Sequence, residues 1–242
     1  MKKWMRLMPA LVLLTGARVR AEETLEALQK RLDTAGEKLQ AVQYTVESHN
    51  SFESEGFKQK TETQTTMAWK RKGKVDLYLR QTKTTNTSDS GKSESTISQA
   101  FDGEIITTVT TGPDGKLAIK QKPEGGGDTV PHGAAVLEAT SYELKLLPHE
   151  KVDGRDCAVV EQTVKGGASP AGMPARYKLW VDMETGLMAK RVGYGPKDAV
   201  IAEDVTKDVK INLNLPDDHF KVAIPEGTQV IDMTQLQAGP GK

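Results

Sequence analysis

The chain has 242 residues, with 33 Lys and Arg against 33 Asp and Glu, 37% apolar residues, 5% aromatics and a single cysteine, Cys157. That length suffices for a self-contained core, and balanced charge without a basic stripe excludes a nucleic-acid binder. A lone cysteine excludes an intramolecular disulfide and a cysteine-rich zinc site, and a mean hydropathy of −0.50 excludes a polytopic membrane protein.

Lys2, Lys3 and Arg6 precede an apolar stretch from Leu7 to Ala17, and Val19-Arg20-Ala21 ends it with small residues at the spacing of a cleavage site. This layout predicts a secretory signal peptide over 1–21. Its apolar run is about half of the roughly 20 residues that a membrane-spanning helix needs, which makes a retained anchor the weaker alternative. The processed chain then starts near Glu22, outside the cytoplasm, with no transmembrane span. The first 21 residues hold Lys2, Lys3, Arg6, Arg18 and Arg20 and no acid. That leaves 28 basic against 33 acidic side chains, a formal charge of −5. Such a charge disfavours anionic membrane surfaces. Cys157 reads as a buried small hydrophobe.

From Glu22 to Gln40, Leu25, Leu28, Leu32, Ala35 and Leu39 line one face at helical spacing. Glu22 and Glu23 fall in the first turn, where the helix dipole favours acids. The segment is an amphipathic helix that covers the domain's own core. After Ala41 the period changes to two. Val42, Tyr44 and Val46 alternate with polar residues, as do Met67 and Trp69, then Val75, Leu77 and Leu79, then Ile105, Thr107 and Val109. Leu117 and Ile119 continue the pattern, followed by Tyr142, Leu144 and Leu146, by Tyr177, Leu179 and Val181, and by Val209, Ile211 and Leu213. Alternation of this kind marks half-buried antiparallel strands. Asp102-Gly103, Asp114-Gly115, Asp153-Gly154 and Thr185-Gly186 supply the turns. The density of Thr between Thr61 and Thr111 suits strands whose outer face meets water.

The expected architecture is mainly β: an incomplete antiparallel barrel, or half-barrel, of roughly ten or eleven strands. It carries an N-terminal amphipathic helix and a short helical or loop lid. Pro123–Gly133 reads as a flexible Gly-rich loop, Ala134–Ser141 as a short helix with Val136 and Leu137 packing inward, and Gly166–Pro174 as a second Gly/Pro loop. One domain spans 22–236, and 237–242 reads as a disordered tail.

Catalytic signatures are sparse. His49, His132, His149 and His219 lack metal-ligand spacing, no serine sits in a Gly-x-Ser-x-Gly elbow, and Gly125-Gly126-Gly127 lacks the Lys-Ser/Thr of a phosphate loop. The acid pairs Asp182 with Glu184, and Asp204 with Asp208, have spacings common on solvated faces. The expectation is therefore a binding protein rather than an enzyme, with neither cofactor nor metal. The interior strand face holds the candidate ligand-binding residues: Met67, Trp69, Val75, Leu77, Leu79, Ile105, Tyr142, Leu144, Leu146, Tyr177, Leu179 and Val181. They either wall a cavity for a small apolar ligand or pack into a filled core.

Several short motifs occur in a telling order: Met67-Ala68-Trp69-Lys70-Arg71, Ala100-Phe101-Asp102-Gly103-Glu104, Val152-Asp153-Gly154-Arg155-Asp156-Cys157, Tyr177-Lys178-Leu179-Trp180-Val181-Asp182 with Glu184-Thr185-Gly186-Leu187, and Phe220 with Ile224-Pro225-Glu226-Gly227. In this order they resemble the LolA-like family, the periplasmic lipoprotein carriers and their relatives, over Glu22 to about Thr234. The resemblance implies a half-barrel closed by a helical lid, with an apolar cavity for acyl chains. It also implies that Arg71 is the lid latch, a guanidinium at the cavity mouth donating to lid carbonyls. The alternative for Arg71 is a solvated cation in the run Lys70-Arg71-Lys72. Lys72 stands where the carriers have Pro, and the strands offer Val, Ile, Leu and Thr where the carriers offer many Phe and Trp.

Two functions follow. The first is a monomeric carrier that sequesters a lipid or an acylated protein; the second is an envelope regulatory or scaffold module that binds a protein partner with the same fold. An open apolar cavity favours the first, and a solid core favours the second.

Overall fold

The computed structural model describes residues 24–54, 56–123, 137, 139–166, 169–170 and 172–235. The signal-like start, the tail over 237–242, most of the Gly-rich lid segment and part of the Gly166–Pro174 loop lie outside the described residues.

One helix opens the described chain. Helix α1 spans Leu25–Glu37, and the Thr24 hydroxyl caps it by accepting from the Ala27 amide at 3.2 Å. The helix is thus shorter than the apolar spacing suggests: Thr24 starts it, Glu26 is the acid in its first turn, and Leu39 is buried just beyond its end. Leu28, Leu32, Ala35 and Gly36 form its buried face.

Twelve strands follow among the described residues. They are β1 (Ala41–Ser54), β2 (Phe57–Lys72), β3 (Val75–Ser88), β4 (Gly91–Phe101), β5 (Ile106–Gly112) and β6 (Gly115–Gln121), then β7 (Tyr142–Val152), β8 (Arg155–Val164), β9 (Arg176–Asp182), β10 (Met188–Tyr194), β11 (Val200–Ile211) and β12 (Gln229–Asp232). They make one open sheet in the order β12-β6-β5-β4-β3-β2-β1-β11-β10-β9-β8-β7, which does not close into a barrel. The mainly β, half-barrel architecture is as expected. One pairing departs from the antiparallel rule: β12 returns parallel to β6. The pairing can be parallel because a long stretch of chain, β7 to β11, separates β6 from β12 where a hairpin would force them antiparallel.

Turn chemistry matches the sequence. Asp153 and Gly154 both have positive φ, 49° and 79°, the pair that a tight β7–β8 hairpin requires. Asp102 folds the β4–β5 turn with its own carboxylate, which accepts from the amides of Glu104 and Ile105 at 3.0 and 2.9 Å.

The sheet is buried on both faces near α1. On the helix side, Leu28 and Leu32 pack with Ala158, Val160 and Val181, and Leu39 packs with Val42, Trp69, Tyr78, Phe101 and Ile106. On the outer side, Leu215 and Phe220 from the chain after β11 cover Ala41, Ala68 and Leu77. A second outer cluster joins Cys157, Val159, Trp180, Ala189 and Val192.

Candidate functional site

The helix side of the sheet is where the sequence places a ligand. Directly paired residues of antiparallel strands share a face, so the register sorts the candidates. Met67 and Trp69 face α1's side, with Tyr44 and Val42 as their β1 partners, and Val75 packs against that cluster. On the other wing, Val181 pairs with Ala158, Leu179 with Val160, Tyr177 with Gln162, and Leu146 with Val160, all on the helix side. Tyr142 and Tyr177 meet edge to face, with ring centroids 6.2 Å apart.

Three candidates are elsewhere. Leu77 and Leu79 pair with Lys70 and Ala68 and lie on the outer face, Leu77 under Leu215 and Phe220. Between them, Tyr78 pairs with Trp69 and supplies the interior side chain. β3 is apolar on both faces at this point, so alternation alone could not tell inside from outside. Ile105 is held in the β4–β5 turn, and Ile106, 2% exposed, is the residue that joins the core.

The wall itself is occupied. Leu28, Leu32, Val160 and Val181 are 0–1% exposed because α1's leucines already lie on it. Tyr44, at the edge of this packing, has its phenol pushed up to about 12 by burial and stays neutral.

Arg71 closes the arrangement. Its Nη1 donates to the Glu37 carbonyl at 3.0 Å, and its amide donates to the Gln40 carbonyl at 2.8 Å. Its guanidinium also lies 5.4 Å from the Trp69 ring centroid. Glu37 is the last residue of α1, so the bond serves a carbonyl with no partner inside the helix and sets a cation at the negative end of the helix dipole. The side chain is half-buried and engaged, rather than a free cation of the Lys70-Arg71-Lys72 run. Its partner is α1; of the lid region only residues 123, 137 and 139–141 are described, and there the Leu137 amide donates to Gln29 of α1 at 3.1 Å.

Gly186 is a residue that the sequence marks only as a turn. Its φ is 72°, and a Cβ there would stand 2.8 Å from the Leu32 carbonyl oxygen, so α1 crosses the β9–β10 hairpin in backbone contact. Asp182 and Thr185 shape that hairpin by accepting from the amides of Glu184 and Leu187 at 2.9 and 3.2 Å.

Away from α1 the same face turns polar. Thr65 and Thr82 oxygens are 3.1 Å apart, and the Thr61 hydroxyl donates to Asn86 at 2.8 Å. Thr63 pairs with Thr84 between them. The Thr-rich stretch therefore lines the helix side as well as the outer face. A wall of this composition suits polar ligands, because hydroxyls covered by a hydrocarbon lose water without replacement.

Covalent chemistry finds little support. Cys157 is fully buried, and desolvation pushes its thiol up to about 11, which leaves no thiolate nucleophile at neutral pH. Asp204 is taken by Arg191, and Asp182 by its turn. Among the described residues, no group of His, Cys, Asp and Glu is placed to hold a metal ion.

No protein-family model matches the sequence. No curated protein matches it either. Solved structures do resemble the chain at low identity. A putative outer membrane lipoprotein-sorting protein domain from Vibrio parahaemolyticus is 13% identical, with 80% of this chain and 94% of that one covered, at a TM-score of 0.34. A LolA superfamily protein from Nitrosomonas europaea is 13% identical, with 82% and 98% covered, at 0.31. The MucA/MucB complex of Pseudomonas aeruginosa supplies a chain 13% identical, with 81% of this chain and 60% of that one covered, at 0.47. At these scores the architecture stands on the strand pairing described above.

Proposed function

We propose that this chain is a non-enzymatic binding module of the cell envelope that engages a protein partner through the surfaces α1 leaves open. The filled wall carries this reading: the apolar side of the half-barrel is solid, with Leu28 and Leu32 seated on Val160 and Val181. The signal-like start over 1–21 supports a periplasmic setting. Lipid mass spectrometry on the processed chain purified from membranes should find no stoichiometric lipid. Cross-linking in the envelope should then join the lipid-free chain to one protein. A bound lipid, together with uptake of a fluorescent fatty acid by the wild-type chain, would overturn the proposal.

Arg71 favours a second reading, a carrier seen closed. Burial is worth about 0.8 kcal/mol per CH₂, so an acyl chain of about fifteen methylenes gains roughly 12 kcal/mol, against about 1.5–3 kcal/mol for each leucine of α1 it displaces. On this reading the Arg71 bond to Glu37 is what holds the cover down. Replacing Arg71 with Met should then raise fatty-acid uptake several-fold while leaving the sheet folded. Unchanged uptake removes the carrier reading.

A further inference from the structure

A pocket lies at the end of the helix-side face farthest from α1, where β1, β2, β9, β10 and β11 meet the loop before β9. Its volume is about 380 Å³, at the lower end of the range typical of small-molecule sites. Phe52, Tyr177 and Met173 give it apolar surface, and Asn50, Gln59 and Thr61 give it amides and a hydroxyl.

The pocket is built rather than incidental. Gly172 has φ 80°, and any side chain there would overlap the Phe52 ring. A Cβ on Gly193 would come within 2.6 Å of Pro174 Cγ, so the two glycines let Gly172 and Pro174 lie flat on the strands. The described residues on either side are held as well: Ser169 Oγ donates to the Pro174 carbonyl at 3.1 Å, and the Ala175 amide donates to the Tyr194 carbonyl at the same distance. Gln59 and Thr61 are also fixed, because Gln59 Nε2 and the Thr61 hydroxyl both donate to Asn86.

Charge narrows the ligand. Arg191 lines the pocket, but its Nε and Nη2 donate to Asp204 at 2.6 and 2.5 Å. Its guanidinium lies 5.6 Å from the Tyr177 ring centroid. The pair neutralises itself, so the site offers a phosphate no net cation and a metal ion no free carboxylate. An acyl chain would strip water from Asn50, Gln59 and Thr61 with nothing in return. An uncharged ring with an apolar face and a rim of hydroxyls matches both kinds of wall, and the hydroxyl track through Thr61, Thr63 and Thr65 leads out of the pocket. We infer that this pocket binds a neutral oligosaccharide, with one sugar ring beside Phe52 and Tyr177 and the next on the threonine track.

The full processed chain tests this by NMR titration with N,N′-diacetylchitobiose and with maltose, with laurate and inorganic phosphate as competing chemistries. At least one disaccharide should bind saturably. Asn50→Ala, at an exposed position, should weaken it roughly tenfold, the loss of one hydrogen bond at a desolvated site. Tyr177→Leu keeps an apolar side chain at this half-buried position and should weaken binding through the lost ring face, whereas Glu184→Gln, on the β9–β10 hairpin beside α1, should change nothing. No response to either sugar at about 10 mM, roughly ten times a weak Kd, overturns the inference. So does sugar binding that both pocket variants leave unchanged, or the same resonances moving with laurate or phosphate and not with sugar.

Discussion

Gly186 and Gly154 both have positive φ, 72° and 79°, but only Gly186 has a neighbour within reach of a Cβ. Alanine at Gly154 meets only the left-handed strain, about 1–2 kcal/mol. At Gly186 it must also push the Leu32 carbonyl away, raising the cost to roughly 2–4 kcal/mol. Urea denaturation of the two variants isolates the helix contact as their difference; equal losses would show that α1 does not press on this hairpin. Cys157 gives a second check. Burial and the nearby Asp182 raise its pKa from 9.0 to about 11, so the folded state holds this proton more tightly than the unfolded chain. Its contribution to stability is complete below pH 9 and is lost as pH rises from 9 toward 11. A thiol reagent at pH 8 should therefore leave the native chain unlabelled and react fully in denaturant.

At the scale of elements, the chain after β11 acts as a strap on the outer face. Leu215 and Phe220 cover Leu77, and Asp217 fastens the strap by accepting from Lys70 Nζ at 2.9 Å and Lys72 Nζ at 2.6 Å. These two ammonium groups hold the Asp217 carboxyl at about 2 instead of 3.8. A depressed pKa means that the contribution is present above about 3.8 and is lost as pH falls through about 2. Hydrogen exchange around Phe220 should accelerate over that acid window, and Asp217→Asn should exchange fast at every pH. An acid window that persists in the variant would assign the effect to another group. The same strap explains what alternation missed. Leu77 and Leu79 look interior because their partners in sequence are polar or aromatic, yet a later segment buries their face. β8 hid for a related reason: Cys157-Ala158-Val159-Val160 is buried on both sides and has no period. By contrast α1, the hairpin glycines and the wing of Tyr177, Leu179 and Val181 were legible, because each faces one environment. The tie between Arg71 and Glu37 joins residues 34 apart, a placement that no local pattern encodes.

For the whole molecule, an open sheet leaves two edges that a closed barrel would lack. Among the described residues β12 forms one edge and β7 the other. β12 is four residues long, too short to template another chain. β7 runs eleven residues and carries Leu144, Leu146 and Leu147, which makes it the greater hazard. Pro148 lies inside it, where the pairing with β8 slips between Leu147 and Glu150. A proline removes one edge N–H, and the bulge beside it turns the strand out of register with any incoming partner. Glu143, Lys145, Glu150 and Lys151 add exposed charge along the same edge. Replacing Pro148 with Val should restore a continuous donor row while leaving the β8 side of the strand paired. The expected result is association that grows with concentration in sedimentation velocity, with thermal stability nearly unchanged. A variant that stays monomeric at all concentrations would show that charge alone guards this edge. On either outcome the open sheet leaves its half-buried threonine track on the helix side, facing away from the pairing groups of both edges.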